Sequence, residues 1–233
     1  MKIALLGYGK MGKVIETIAL ERGHEIVLRK TSSNTFEGLA TADVAIDFSI
    51  PSVAVENISS CIEAGVPVVS GTTGWLDQYD AMVALCKQHD GAFLYGSNFS
   101  LGVNLFFELN AYLAQLMAKF SSVYRVSMEE IHHTQKLDSP SGTAITLANG
   151  IIANSAYDSW TLDQPTDQQI LIDAQRIENV PGTHSVFYNS PVDFIEIKHV
   201  AHNREGFALG SVLAAEWLVG KKGVYTMKDV LAL

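Results

Sequence analysis

An apolar run, Met1-Lys2-Ile3-Ala4-Leu5-Leu6, gives way without a spacer to Gly7-Tyr8-Gly9-Lys10-Met11-Gly12. The three glycines stand at the intervals of a strand-turn-helix phosphate loop. A side chain at Gly7 or Gly9 would block the tight turn or the approach of a pyrophosphate, and Gly12 lets the following helix pack closely on the strand. The spacing therefore predicts a strand over 2–6 and a helix from Lys10, whose N-terminal amides and partial positive charge face an anion. A chain that starts this way is committed to a parallel sheet covered by helices.

The rest of the first hundred residues agrees. Short apolar runs predict strands at 2–6, 25–29, 43–48, 66–70 and 92–95, and apolar residues spaced by three and four predict helices over 10–22, 52–64 and 76–89. About fourteen residues link the second strand to the third, too few for a full crossover helix. After Gly102 the pattern changes: a long apolar helix over 103–120, an alternating strand over 123–131, a helix opening at Ser141 and two more alternating runs at 185–188 and 194–200. Residues 155–169 read as an exposed loop. The fold class is α/β: a doubly wound parallel sheet formed by residues 1–100 and 205–233, and a second, α+β domain with a mixed sheet over 101–204. The helix at 205–219 is expected to pack back on the first domain.

The 233 residues carry a formal charge of −9 and a sequence pI near 5.2. That balance argues against nucleic acid, whose phosphates need a basic face. Cys61 and Cys86 show neither metal-site nor disulfide-framework spacing and read as buried free thiols. No run reaches the length of a membrane span, and the start leaves no room for a signal peptide, so a cytoplasmic chain without membrane contact is expected.

Three further segments are candidates for binding. An acid commonly follows the second strand to hold an adenosine ribose; here Arg29-Lys30 and Thr31-Ser32-Ser33 stand there, which suits a 2'-phosphate and predicts NADPH, with NADH the alternative. Gly71-Thr72-Thr73-Gly74 and Gly96-Ser97-Asn98-Phe99 follow the fourth and fifth strands, where open α/β sheets bind ligands. The third segment holds the chemistry: His132 and His133, then Lys136, then Ser141-Gly142-Thr143 opening an apolar helix. Imidazole and ammonium groups can donate protons near neutral pH, and the helix start can take a carboxylate. Adjacent histidines on a strand face opposite ways, and no third ligand accompanies them at metal spacing, so no metal site is expected. Hydride transfer to an acidic small molecule is the reaction these features suggest together.

These residues resemble the 4-hydroxy-tetrahydrodipicolinate reductase (dihydrodipicolinate reductase) family of the diaminopimelate and lysine pathway. The resemblance rests on Gly7-Tyr-Gly-Lys-Met-Gly12, Gly71-Thr-Thr-Gly74, Asn98-Phe-Ser-Leu-Gly-Val-Asn104 and His132-His133-x-x-Lys136-x-Asp-Ser-Pro-Ser-Gly142-Thr143. It continues to His199-x-Ala-x-x-Arg204-x-x-Phe207-Ala-x-Gly210 and Ala214-Ala-x-Trp217-Leu218. It implies a Rossmann domain, a substrate and oligomerisation domain, a homotetramer, and NAD(P)H-dependent reduction of an unsaturated dicarboxylate ring after loss of water. By motif position, His132 and Lys136 would be catalytic, and His133, Gly142 and Thr143 would bind substrate. The cofactor would touch residues 7–12, Arg29, Lys30, Gly71, Thr72, Thr73, Gly96, Ser97, Asn98 and Phe99.

The chain departs from the family at Arg29-Lys30, where an acid then a base is frequent, at the short connection 30–42, and before Gly182-Thr183-His184, where a stretch is missing and Thr183 replaces a common Glu. Two rivals are an aspartate- or homoserine-type dehydrogenase, which would lack the His-His-x-x-Lys loop, and a regulatory protein that binds NADPH without chemistry.

Overall fold

Strand β1 (Lys2–Leu6) is buried at four of its five positions, and successive side chains feed two different cores. Ile3 and Leu5 enter a cluster with Ile15, Ala208 and Val212; Ala4 and Leu6 enter another with Ala54, Ile58 and Met82. Enclosing an Ile or Leu side chain contributes roughly 1.5–3 kcal/mol. The opening strand is thus buried on both faces, as a central parallel strand must be.

The computed structural model describes residues 1–233, which divide into two compact units, Met1–Leu101 with Arg204–Leu233, and Gly102–Asn203. In the first, β1 pairs in parallel with β2 (Glu25–Lys30) on one side and β3 (Val44–Asp47) on the other. With β4 (Val68–Ser70), β5 (Ala92–Tyr95) and β11 (Gly223–Tyr225) they form a six-stranded sheet of order β11-β5-β4-β3-β1-β2. Strand order reverses between β1 and β3, the switch point at which such sheets bind ligands. Helices α1 (Lys10–Glu21) and α6 (Glu205–Leu218) cover one face, while α2 (Pro51–Glu63) and α3 (Tyr79–Gln88) cover the other. Between β2 and β3 there is a single turn of 3₁₀ helix, Leu39–Thr41, as the short connection requires. Cys61 and Cys86 are both free and buried.

In the second unit, α4 (Leu101–Met117) and α5 (Gly142–Ile152) accompany a five-stranded sheet. Its strands are β6 (Arg125–His132), β7 (Ser159–Thr161), β8 (Gln169–Arg176), β9 (Thr183–Asn189) and β10 (Phe194–Val200), ordered β10-β9-β6-β8-β7. β6 is parallel to β8 and antiparallel to β9, so the sheet is mixed, as expected. Inward residues of β6, Val126 and Met128, pack with Leu147 and Ile151 of α5, Ile170 and Ile172 of β8, and Tyr188 of β9.

The structure corrects the sequence reading at three places. Within 155–169, Ser159–Thr161 is the edge strand β7, its polar composition reflecting partial exposure at the sheet margin. β8 was not foreseen, although Ile170 and Ile172 alternate with less buried neighbours. The chain also ends with β11 and a short helix, α7 (Met227–Leu231), which opens on a reciprocal capping box between Thr226 and Asp229.

α6 lies against the chain that leaves β5. A Cβ added at Gly210 would come 1.7 Å from the Phe99 carbonyl oxygen, and backbone cannot yield as a side-chain tip can. We predict that Gly210→Ala lowers stability by about 3 kcal/mol or more, read as a fall in the urea midpoint; an unchanged midpoint would show that α6 is not held this closely.

Candidate active site

In the first unit the loop after β1 borders a cavity of about 390 Å³ lined by Gly7, Tyr8, Gly9, Lys30, Thr31, Ser32, Phe48 and Ser49, among others. The glycines have different reasons to be there. Gly7 has φ +97°, and a Cβ would lie 2.2 Å from the Phe48 carbonyl oxygen; at Gly12 it would lie 2.3 Å from the Gly7 carbonyl oxygen. A Cβ at Gly9 would meet nothing within 4 Å, so no protein contact demands glycine there. What it would obstruct is the cavity itself. Gly9 is also the N-cap of α1, with no capping side chain and no acid in the first turn, so the helix start keeps donors for an anion. These features fit a dinucleotide pyrophosphate.

The residues expected at the cofactor separate into two groups. Gly7, Tyr8, Gly9 and Lys30 line the cavity. Lys10 is exposed at the start of α1, while Met11 packs against the core. Arg29 instead turns to Glu16, donating from Nε to Oε1 at 2.8 Å, and Tyr8 donates its hydroxyl to the same carboxylate. The Arg29 hydrogen bond, above all, holds Glu16 below the usual carboxylate range. Lys30 Nζ donates to the Thr31 carbonyl at 2.9 Å and lies over the Phe36 ring. Of the basic pair, Lys30 is therefore the cation at the cavity.

Gly71 sits against the Phe48 ring, where a Cβ would lie 2.3 Å from Cζ. Thr72 is buried and spends its hydroxyl on Asp47 Oδ2 at 2.8 Å while accepting from the Ser49 amide at 2.8 Å; Thr73 is exposed. Gly96 donates its N–H to the Ser70 carbonyl, Ser97 is exposed, Asn98 Oδ1 accepts from the Ser100 amide, and Phe99 is buried against Phe48.

Asp47, at the carboxyl end of β3, is a residue the sequence reading missed. It is wholly buried and accepts hydrogen bonds from Ser49, Asn57, Thr72 and Ser70, so it braces the loops after β3 and β4. Burial pushes its carboxyl above the ordinary range, because every donor is neutral.

In the second unit the end of β6 gathers charge. Register places Glu130 opposite His184 of β9, and His132 opposite Arg176 of β8. Glu130 and His132, two apart on one strand, share a face. Glu130 is fully enclosed; its Oε2 lies 2.6 Å from His132 Nδ1, and its Oε1 accepts from the Ser141 amide at 3.2 Å and from Arg176 Nη2 at 3.0 Å. Burial opposes its charge, yet the hydrogen bonds and charge of His132, the Ser141 amide and Arg176 outweigh it and hold the carboxyl at about 2. His184 Nε2 lies 3.1 Å from Ser141 Oγ and 3.9 Å from Glu130 Oε2, and its ring meets the His132 ring edge-on at 5.0 Å. Burial, then the neighbouring His132 charge, pushes the His184 ring down to about 3.

His132 is buried, and His133 is half-buried at the point where the chain turns. The Lys136 amide donates to the His133 carbonyl at 3.1 Å, and Lys136 Nζ, three-quarters covered, pairs with Asp138 at 2.9 Å. Ser141 caps α5, its Oγ accepting from the Ala144 amide at 3.2 Å. Gly142 opens α5 exposed, with nothing within 4 Å of a built Cβ, and Thr143 follows half-buried. No third ligand stands beside the histidines at metal spacing in the sequence, but the fold brings two further ligand-type groups to His132. Glu130, His132 and His184 present ligand-type atoms within 4.8 Å of one another. Sequence spacing could not reveal this, because strand pairing rather than proximity along the chain brings His184 in. Arg176 already compensates the carboxylate, so the cluster is balanced without a cation from outside.

Comparison with known proteins follows the same division of the chain. A family model described as dihydrodipicolinate reductase, N-terminus, matches residues 1–99, and one described as dihydrodipicolinate reductase, C-terminus, matches residues 102–231. This chain belongs to the dihydrodipicolinate reductase family. Among its relatives, 4-hydroxy-tetrahydrodipicolinate reductase of Christiangramia forsetii is 55% identical over 239 residues, covering 100% of this chain and 98% of the relative. The enzyme of the same name from Desulfovibrio desulfuricans is 35% identical over 253 residues, covering 95% of each chain. Among solved structures, the dipicolinate-bound dihydrodipicolinate reductase from Paenisporosarcina sp. TG-14 superposes with a TM-score of 0.74 at 22% identity, covering 98% of each chain, and shares the fold.

The buried charges set an acid limit for this family member. Below pH 6.5 the unfolded chain binds a proton at His184 that the folded chain refuses until about 3, so stability falls as pH drops through that window. Glu130, at about 2 folded against 4.5, adds a loss that begins below about pH 4.5. We predict that the urea midpoint falls between pH 7 and pH 5, and that His184→Gln flattens this slope; an identical slope in the variant would contradict a neutral buried His184.

Proposed function

We propose that this chain catalyses the NAD(P)H-dependent reduction of 4-hydroxy-tetrahydrodipicolinate to tetrahydrodipicolinate, in diaminopimelate and lysine biosynthesis. The observation that carries the reading is the gathering of His132, Lys136 and the open start of α5 within one short segment, in a chain whose whole length matches this family. The balance is loss of water from the 4-hydroxyl, then addition of one hydride and one proton to the ring. Bound at the loop after β1, the reduced nicotinamide cofactor supplies the hydride.

This chain's own residues do the rest. The uncapped start of α1 and the open approach at Gly9 would hold the pyrophosphate, and Lys30 with Thr31 and Ser32 would meet a 2'-phosphate. Gly71, Thr72 and Thr73, and Gly96 through Phe99, would border the nicotinamide end through backbone groups. His133, Gly142 and Thr143 would hold the two carboxylates of the substrate, since α5 presents its N-terminus there. His132 and Lys136 would manage the proton that accompanies hydride addition. We read residues 1–100 with 205–233 as the dinucleotide-binding domain and residues 101–204 as the substrate and oligomerisation domain.

A homotetramer is the assembly we propose. Leu105, Leu109, Tyr112 and Leu116 form an exposed apolar stripe along α4, and Phe194 and Val200 are exposed on the edge strand β10. Exposed apolar side chains of this kind suit contact with further copies. We place the enzyme in the cytoplasm, where its reduced cofactor is available; no helix is long and apolar enough to cross a membrane.

Mixing the protein with NADPH and the condensation product of pyruvate and aspartate semialdehyde should consume the reduced cofactor well above the blank. Lys136→Ala or His132→Gln should lower kcat by about 10²-fold or more while NADPH affinity stays within a few-fold. No consumption by the native protein, or equal losses of turnover and cofactor affinity in the variants, would contradict the reading. For the cofactor end, Lys30→Ala should raise KM for NADPH several-fold and leave KM for NADH nearly unchanged. Equal effects on both would remove Lys30 from the 2'-phosphate site.

A further inference from the structure

The proposed roles leave Glu130 and Arg176 unexplained, although they are the most tightly engaged charges in residues 102–203. The two Glu130 oxygens face different neighbours: Oε2 meets His132 Nδ1 at 2.6 Å, and Oε1 takes the Ser141 amide and Arg176. Oε2 stands off the ring N–H axis, and neither it nor Nδ1 has a hydrogen-bond partner, but a negative charge 2.6 Å from Nδ1 favours a proton on that nitrogen over one on the far side of the ring. The ring atom left to gain or lose a proton is then Nε2. Gly182 keeps that side clear, since a Cβ there would stand 3.1 Å from Nε2.

Arg176 extends the same arrangement to the lysine. Besides Glu130, it donates from Nε to the Lys136 carbonyl at 3.3 Å and from Nη2 to the Asp138 carbonyl at 2.5 Å. Its planar fork therefore ties the loop on both sides of Leu137 to the carboxylate that orients His132. Lysine has no such fork and could not span these acceptors.

We propose that Glu130 and Arg176 are positioning residues for proton transfer, Glu130 fixing which nitrogen of His132 works and Arg176 fixing the loop that presents Lys136. This rests on the roles given above to His132 and Lys136. A buried ion pair contributes little net stability compared with apolar side chains of similar volume, so orientation rather than stability is the reason for burying one here. A divalent cation among Glu130, His132 and His184 fits less well, because the Arg176 guanidinium already stands 3.0 Å from Glu130 Oε1.

Glu130→Gln separates orientation from packing. Its amide oxygen can still accept from Ser141 and Arg176, but its amide nitrogen then donates toward His132 Nδ1 and drives the ring proton to Nε2. We expect kcat with NADPH to fall by about 10²-fold, with KM for NADPH within twofold of native, in a variant that still folds although it melts earlier because the Arg176 charge has lost its partner. Arg176→Lys, which keeps the charge beside Glu130, should lower kcat about 10-fold with the same unchanged KM. Turnover above half of native in both folded variants would overturn the proposal. Parallel losses of kcat and NADPH affinity would also overturn it, since they would mark a structural role. If Glu130→Gln does not fold, Arg176→Lys decides alone: lowered kcat with KM intact supports the proposal, and native kcat overturns it. Absence of turnover by the native enzyme would instead sink the functional reading, and this proposal with it.

Discussion

A single buried carboxylate organises the chemical end of the second unit. Glu130 draws on four elements at once: its own strand β6 through His132, β8 through Arg176, the start of α5 through the Ser141 amide, and β9 through the more distant His184. An ionised group in such a place is costly unless it is fully compensated. The compensation here comes from the groups that chemistry needs held still. Losing any partner would leave the charge exposed to the low-dielectric interior, so the elements are bound to one arrangement.

Asp47 in the first unit makes an instructive contrast. It is buried as completely and accepts as many hydrogen bonds, yet its donors are hydroxyls and an amide. Burial wins there and raises its carboxyl, whereas the guanidinium and imidazole beside Glu130 win and lower it. The first acid acts as a neutral-donor brace for loops at the strand ends. The second acts as a fixed negative charge that can support a cationic ring. One chain thus uses buried acids for two physical purposes, decided by the charge of their donors.

How much of this was legible beforehand depends on range along the chain. The first unit's opening was readable because its requirements are local: glycines at fixed intervals, a buried strand and a helix start are separated by a few residues, and the short connection before β3 could only be a turn. The β7 and β8 strands were missed because a three-residue edge strand is polar and β8 needs its pairing with β6 to declare itself. Motif position gave His132, Lys136 and Gly142, and the two-residue spacing on β6 puts Glu130 on the face of His132, but Arg176 and His184 are joined to them by strand register, which no spacing rule discloses. Arg29 shows the converse. Its type suggested the cofactor, and only the fold reveals that Glu16 and Tyr8 claim it, leaving Lys30 at the cavity.

The central claim is that, in the neutral form of the His132 ring, Glu130 keeps the proton on Nδ1 and leaves Nε2 for chemistry. Histidine-selective ¹⁵N labelling, with the His132 signals assigned by their loss in His132→Gln, reads that tautomer directly. A protonated Nδ1 and an unprotonated, pyridine-type Nε2 in the neutral ring is the predicted result. A neutral ring protonated at Nε2, with Nδ1 bare, would contradict the account.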